Sequence, residues 1–426
     1  MSSQSELARR MFEFGRDLRK LFAQARESED LSWLELIGAD LLAGEARGQS
    51  TDAGRVSCAK PHAAWVRASA LWREHARRTG KADSVARALA AADDAAHAAA
   101  NPDEVARAAV ETAQALVLKF DLCGGRGLLD QASEAMPGSA DGKPATQALS
   151  ASVQARIRSR RARFDGDPSA LMLAASLLDV AIHQVEKTRA GPTDDLRMDR
   201  AALALEAGVA RRDAGLLDQA GRELLNLVQA STPEYRPLTR ARALTLCGAG
   251  LSALAALADN EPAREQGRQM FEAAADQFTP DHSPLDWATI QVVRGGMPDG
   301  VALSVLHQAD ALTSGQGLVL GAMIRDLLME GEIAAAVSIG DLPRLTMAEA
   351  VVRRRLSAGR PICELEWAGD QIAMARIAQA RSRLTGAQAG SANLALFEAA
   401  DVARERGLPA LAARAEALIV HRVDAA

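Results

Sequence analysis

The feature that most limits how this chain can fold is a regular series of prolines, each followed by a helix-like stretch. Successive prolines of the series lie 41 to 48 residues apart: Pro61, Pro102, Pro144, Pro192, Pro237 and Pro284. Proline suits the first position of a helix, because the N–H that proline lacks would have no intrahelical hydrogen-bond partner there and proline's φ is already helical. The series therefore predicts helix starts at a constant interval, which is typical of a repeat architecture.

Small residues recur at fixed distances behind four of these prolines. Alanine lies four positions on, and alanine or glycine lies eleven positions on: Ala106 and Ala113, Ala148 and Ala155, Ala241 and Gly248, Ala288 and Gly295. Seven residues are close to two helical turns, so both small residues of each pair fall on one stripe. We expect a neighbouring segment to approach each helix closely along that stripe.

Each period divides into two helices. In residues 200–235, Gly215 is expected to separate a first helix ending near Asp213 from a second helix. The second helix has apolar residues at three- and four-residue steps, namely Leu217, Ala220, Leu224, Leu227 and Val228, which predicts one buried face. A pair of helices cannot bury such a face alone, so the pairs are expected to stack into a continuous core.

Composition agrees with an all-α fold. Only 3% of the residues are aromatic, and the chain is rich in alanine and leucine, which favour helices over strands. A hydrophobic content of 48% is too high for a disordered chain.

Residues 201–233 resemble a tetratricopeptide repeat (TPR), with Gly208 in the first helix, Ala220 and Leu224 in the second and Pro233 at the close. Residues 237–295 are similar to the longer bacterial variants of that repeat, in which a Pro-Leu-x-x-Ala start follows an Ala-rich helix. The resemblance is good over about residues 193–300 and weaker back to about residue 60. It implies a right-handed α-solenoid of stacked antiparallel helix pairs that binds another protein.

The two ends of the chain depart from the repeat. We expect residues 1–60 to form N-terminal capping helices, including helices over residues 5–28 and 31–44, and residues 61–300 to form the array. Residues 301–426 stay helical in pattern without the proline period, and are expected to be degenerate closing repeats or a cap, as terminal repeats often are.

Charge and cysteine content favour an ordinary cytoplasmic protein. The net charge is −5, which provides no general attraction to nucleic acid or anionic membrane. Uncharged apolar runs are far shorter than the roughly 18–20 residues of a membrane span. The four cysteines are widely scattered, as in proteins of a reducing compartment.

Catalytic, cofactor and metal motifs are weak or missing. The stretch "TSGQGLVLG", with Gly315, Gly317 and Gly321, approaches a phosphate-binding pattern but follows a helical run and has one residue too many, so an interhelical turn is expected. Cys58 and His62 have a spacing that could bring two metal ligands together, but no second pair accompanies them. We predict a protein without catalytic residues, cofactor or metal.

Two arginine clusters allow two interpretations. Arg156, Arg160 and Arg163 fall on one helical stripe, and residues 353–355 are three consecutive arginines near a helix end. One interpretation is a solvated face with cations favoured at the helix C-terminus. The other is a patch that recognises an anion.

The TPR resemblance implies that the first helices of the pairs line a concave groove. Carrying its groove-facing positions across gives nine candidate binding residues: Arg107, Gln114, Ser152, Arg156, Arg212, Arg242, Thr245, Ser252 and Thr289. Four are arginine and none is acidic, so an acidic or phosphorylated partner segment is one expectation. The asparagines that often hold a peptide backbone in that family are missing from "TIQVVRGG" and "TLCGAG", so a helix packed into an apolar groove is the alternative.

Two functions remain open from the sequence. The first is a non-catalytic cytoplasmic scaffold or adaptor that binds a partner protein in the groove. The second is a regulatory or sensor subunit in which residues 301–426 carry a separate effector or enzyme-partner function.

Overall fold

The computed structural model describes residues 31–136, 142–295, 300–357, 364–386 and 393–419, and within them the chain is helical with no strand. A short 3₁₀-helix, Ser32–Leu36, comes first. The first nine α-helices are α1 Ala39–Ala53, α2 Pro61–Thr79, α3 Ala82–His97, α4 Pro102–Cys123, α5 Arg126–Glu134, α6 Pro144–Asp165, α7 Pro168–Thr188, α8 Asp194–Arg211 and α9 Ala214–Ala230. The others are α10 Pro237–Ala258, α11 Glu261–Ala275, α12 Pro284–Gly295, α13 Leu303–Thr313, α14 Val319–Ser338, α15 Leu342–Ser357, α16 Glu364–Thr385, α17 Asn393–Glu405 and α18 Pro409–Leu418.

The proline series marks helix starts, with one exception. Five of the six prolines are the first residue of α2, α4, α6, α10 and α12. The expectation for Pro192 is wrong, because α8 begins two residues later at Asp194. Asp194 and Asp195 occupy the first turn of α8, where carboxylates interact favourably with the helix dipole.

The small residues behind the prolines are closely packed, as expected. Those of α4, α6, α10 and α12 are buried, apart from the partly exposed Gly295. At Gly248 a Cβ atom would lie 2.6 Å from the ring of Phe271 in α11. Here the small position makes room for a side chain of the paired helix.

The pair α8–α9 has the predicted buried face but a different turn. Leu217, Leu224 and the three other apolar positions of α9 are all buried. The helices are separated at Arg212 and Asp213, and the Asp213 carboxylate accepts a hydrogen bond from the Gly215 backbone N–H at 2.9 Å. Gly215 therefore lies in the first turn of α9, because Asp213 provides the helix cap.

Alternate helices pack side by side in a row that closes on itself. We call α2, α4, α6, α8, α10 and α12 the ring helices. Contacts join α2 to α4, α4 to α6, α6 to α8 and α8 to α10. Arg242 of α10 pairs with Asp286 of α12, and α12 contacts α2. The first and last ring helices are thus neighbours.

Residues 31–39, which we call the clasp, join three parts of the ring. The Glu35 carboxylate accepts hydrogen bonds from the Thr239 backbone N–H at 2.8 Å and from Arg236 Nε at 2.8 Å, at the start of α10. The fully buried Arg78 of α2 donates to the carbonyl oxygens of Leu34 and Ile37. The Ala39 N–H donates to the carbonyl of Asp281, just before α12.

The predicted helix over residues 31–44 is interrupted in the structure. The 3₁₀-helix ends at Leu36, Ile37 is extended, and α1 starts only at Ala39. Two carbonyl groups of the interrupted segment, those of Leu34 and Ile37, accept the hydrogen bonds from Arg78. The predicted helix over residues 5–28 lies outside the described residues.

The helices after residue 300 lie against the ends of the first ring helices. Gly80 follows α2, and a Cβ atom there would lie 2.6 Å from Leu318 Cδ1. Gly124 follows α4, and a Cβ atom there would lie 2.1 Å from the carbonyl oxygen of Arg406. A Cβ atom at Gly407 would lie 2.9 Å from the ring of Phe164 in α6. The C-terminal helices therefore pack directly on the ring.

Two helices, α7 and α10, are long and apolar enough to cross a membrane by length and composition alone. Both belong to the stack, and each carries a charged side chain paired with a neighbouring helix. Asp179 of α7 accepts from Arg200 at 2.9 Å, and Arg242 of α10 pairs with Asp286 at 2.6 Å. Core helices of soluble proteins pass the same length and composition test.

Candidate functional site

Three of the four arginines predicted for the groove are paired with carboxylates of the same chain. Arg156 Nε lies 2.8 Å from Asp199 on the next ring helix, α8. Arg242 Nη2 lies 2.6 Å from Asp286 on α12. Arg107 Nη2 lies 3.2 Å from Glu111, one turn along α4, and Arg73 of α2 binds the same carboxylate.

One pair joins ring helices that are not neighbours. Arg77 of α2 donates two hydrogen bonds of 2.9 Å to the Asp195 carboxylate of α8. Since α2 and α8 are three steps apart in a row of six, this bidentate pair crosses the interior of the ring. Its two side chains keep 31% and 39% of their surface exposed, so the crossing point stays in contact with solvent.

The interior charges stabilise one another's ionised forms. Burial raises the pKa of Asp195, but the nearby guanidinium groups of Arg77 and Arg156 outweigh burial and hold that pKa well below its usual range. The same balance lowers the pKa of Asp199, where burial opposes Arg160 and Arg156. Asp195 and Asp199 are therefore ionised at neutral pH.

Arg156, Arg160 and Arg163 do lie on one stripe of α6, and each has a carboxylate partner. Arg160 pairs with Asp121 at 3.0 Å and also with Asp199, and Arg163 pairs with Glu206 at 2.6 Å. The partners lie on α4 and α8, the two neighbours of α6 in the ring. This cluster joins neighbouring ring helices.

The other predicted groove residues are spread over different environments. Ser152 is buried and donates to the Leu149 carbonyl, and Thr245 and Thr289 each donate to the carbonyl four residues earlier in their own helix. Gln114 is partly buried. Ser252 faces Gly267 of the paired helix α11. Arg212 lies beyond the end of α8 in a left-handed conformation, with φ 54°.

Sequence reasoning missed the acidic partners, although most of them follow the repeat. The Arg73–Glu111, Arg156–Asp199 and Arg242–Asp286 pairs are separated by 38, 43 and 44 residues. These separations are close to one period, so opposite charges one repeat apart are the signal that would have found them. The Arg77–Asp195 pair, 118 residues apart, has no such signal.

The two short motifs of the sequence, and one of its four cysteines, have clear structural settings. Residues 314–318 connect α13 to α14, with Gly315 and Gly317 at φ 74° and 70°, so the expected interhelical turn is confirmed. His62 Nδ1 is within hydrogen-bond distance of the Ala95 carbonyl. Cys247 is buried, and burial raises the pKa of its thiol to about 12. Within the described ranges, no three His, Cys, Asp or Glu side chains group as metal ligands would.

Replacing Asp286 by asparagine tests the interior ion pairs through their pH dependence. Burial raises the pKa of Asp286, but Arg242 and Ser283 lower it by more than burial raises it. Its folded-state pKa therefore lies below the unfolded value. The pair then stabilises the fold above the unfolded pKa of about 3.9, and this contribution is lost as pH falls toward the folded-state pKa. We expect Asp286→Asn to cost about 1.5–3 kcal/mol at pH 7.

Thermal melts of the wild type and of Asp286→Asn between pH 3 and pH 7 measure this difference. The gap in melting temperature should be largest at pH 7 and should close as pH falls below about 4. An equal gap in melting temperature at every pH would mean that the Asp286 side chain stabilises the fold by packing rather than by its charge.

No protein-family model matches the sequence, and no curated protein matches it.

Proposed function

We propose that this chain is a non-catalytic scaffold or adaptor that binds a partner protein in the cytoplasm. In this proposal it is a right-handed TPR-like solenoid whose ring of helix pairs is rigid and whose exposed helix faces are available for binding. The observation that carries the proposal is the succession of helix pairs, each packed on the next, because such arrays generally present extended binding surfaces.

The contacts of the arginines favour a helical partner over an acidic segment bound inside the ring. Arg156 and Arg242 are bound by Asp199 and Asp286 of this chain. An acidic segment reaching them would have to displace those carboxylates, and the cost of breaking the existing pairs would offset its gain. A helical partner needs exposed apolar surface instead, and the chain has it at Met347 and Val351 on α15.

The second candidate, a regulatory subunit with a separate function in residues 301–426, ranks lower. The contacts of Leu318 with Gly80 and of Gly407 with Phe164 join the C-terminal helices to the ring. They support one folded unit. If residues 301–426 unfolded in a transition of their own, the second candidate would move ahead of the first.

Affinity capture of the tagged full-length chain from its source cells, followed by titration with the purified captured protein, tests the scaffold proposal. We expect one-to-one binding in the micromolar range or tighter by isothermal titration calorimetry. Arg212→Glu changes the exposed predicted groove position. Arg222→Glu, on the exposed side of α9, is its matched control. Failure of every captured protein to bind the purified chain would contradict the scaffold proposal.

A further inference from the structure

Helix α15 has an exposed apolar side. Of its sixteen residues only Leu345 and Val352 are buried. On the opposite side Met347 is 72% exposed and Val351 is 54% exposed. Helices of similar length in the ring bury far more, and α8 buries eight residues of eighteen.

The exposed residues have the spacing of a helix-packing seam. Pro343, Met347, Ala350 and Arg354 follow one another at steps of four, three and four residues, and all are exposed. We call these four residues the α15 stripe, with Val351 beside it. Residues at these steps lie on one side of a helix and form the line along which a second helix packs. Ala350, in the middle, lets a partner helix approach closely.

The helices that contact α15 pack on its other side. Val352 lies in one apolar cluster with Met329 of α14 and with Ala373 and Ile377 of α16. The stripe points away from this cluster, and no helix of the described residues buries it.

Charge at one end of the stripe indicates what would cover it. Arg354 is exposed and forms no ion pair with a described residue. The carboxylates that pair with the adjacent arginines are already used, because Glu349 binds Arg353 and Arg381, and Asp370 binds Arg355. Arg354 is therefore available to pair with a carboxylate of whatever covers the stripe.

A second copy of the chain would not provide that carboxylate from its own α15. The stripe contains no acidic residue. Asp341, before the helix, accepts a hydrogen bond from the Arg344 backbone N–H at 2.9 Å and so caps α15. Two stripes packed together would leave each Arg354 unpaired.

We propose that the α15 stripe docks an amphipathic helix of a partner protein, with an apolar seam against Met347 and Ala350 and an acidic residue opposite Arg354. This inference rests on the scaffold function and gives it a specific surface and a partner chemistry. The ring interior keeps its structural role.

A designed peptide provides the probe. It is an acetylated and amidated helix of about 20 residues, long enough to cover a helix of this size, with leucines at steps of four and three, glutamates beside the seam and a fluorescein label. Fluorescence anisotropy with the full-length chain should show binding that weakens at least about tenfold, about 1.4 kcal/mol, in Met347→Glu and in Arg354→Glu. Leu173→Glu on α7, where Leu173 is 65% exposed, is the matched control and should bind as the wild type does.

Charge reversal distinguishes specific recognition from nonspecific binding. A peptide with lysine in place of the glutamates should bind Arg354→Glu better than it binds the wild type. The proposal is overturned if the wild type does not bind the acidic peptide, if Met347→Glu binds it with unchanged affinity, or if the reversed pair shows no recovery.

Two further measurements identify other occupants. A wild-type dimer in sedimentation equilibrium that Met347→Glu abolishes would assign the stripe to a second copy. A melting temperature that Met347→Glu lowers more than Leu173→Glu does, with no peptide present, would assign it to residues of this chain outside the described ranges. A natural partner that binds Met347→Glu normally would overturn this surface and leave the scaffold function standing.

Discussion

Replacing Arg78 by alanine is expected to lower the free energy of unfolding by about 3–5 kcal/mol, because it leaves buried partners uncompensated. The Arg78 side chain is fully buried and bonds to Glu74 and to the carbonyls of Leu34 and Ile37. Without the guanidinium, all three acceptors lose the donor that Arg78 provides. The clasp would lose the hydrogen bonds that join it to Arg78 of α2, and the ring would lose one of its closing contacts.

Urea unfolding followed by circular dichroism measures the loss, with Arg222→Ala as the control. Arg222 is 71% exposed, and among the described residues its ion pair is with Asp218 within α9, so its removal should cost less than about 0.5 kcal/mol. Hydrogen exchange adds a local measurement, in which residues 31–39 of Arg78→Ala should exchange faster. Similar losses in the two variants would mean that Arg78 does not hold the clasp.

Replacing Gly124 by alanine is the second large expected effect, and it tests the packing of the C-terminal helices on the ring. Gly124 has φ 67° and ψ −173°, a conformation that glycine alone adopts readily and that costs other residues about 1–3 kcal/mol. The added Cβ would also lie 2.1 Å from the Arg406 carbonyl oxygen, so the two backbones must separate. We expect a total loss of at least about 3 kcal/mol, near the top of the usual range for one substitution.

Gly166 provides a matched control at the end of the next ring helix. It also has positive φ, at 69°, but nothing lies within 4 Å of the position of its Cβ. Gly166→Ala should therefore cost only the backbone term of about 1–2 kcal/mol. Thermal melts of both variants give the comparison, and equal losses would show that Arg406 does not pack against Gly124 as described.

The sequence predicts the local structure of this protein much better than its closure. Pro61, Pro102 and Pro144 open helices because a proline's φ and missing N–H act within one turn. The buried small positions such as Ala241 follow from helical periodicity. These features depend on residues close in sequence, so they can be inferred from spacing alone.

Closure depends on contacts between residues far apart in the chain. Glu35 binds Thr239, 204 residues away, and Arg77 binds Asp195. Neither contact has a periodic signature, and the family resemblance implies an open groove in which the arginines would be free. The small bend per repeat that decides between an open row and a ring is not visible in any single repeat.

The candidate site shows the same difference between local features, which the sequence predicts, and contacts between distant residues, which it does not. Arg156 and Arg242 are on the ring helices, as the TPR resemblance implies. The carboxylates that pair with them come from the next repeat. Arg212 lies beyond the end of α8 and Ser252 lies beside Gly267 of α11, and a shift of one position moves a side chain by about 100° around a helix. The exposed side of α15 lies in the part of the chain where the proline period is lost, so the alignment could not reach it.

The distance between residues 40 and 281 tests the central claim, the closed ring, most directly. Both side chains are exposed, and they flank the hydrogen bond between the Ala39 N–H and the Asp281 carbonyl. Spin labels on Asp40→Cys and Asp281→Cys, in a chain with its native cysteines replaced, allow the distance to be measured by double electron–electron resonance. The closed ring predicts one narrow distribution at short range. An open row would place α2 and α12 five interhelix steps of about 8–10 Å apart, so a distance of about 40–50 Å would contradict the ring.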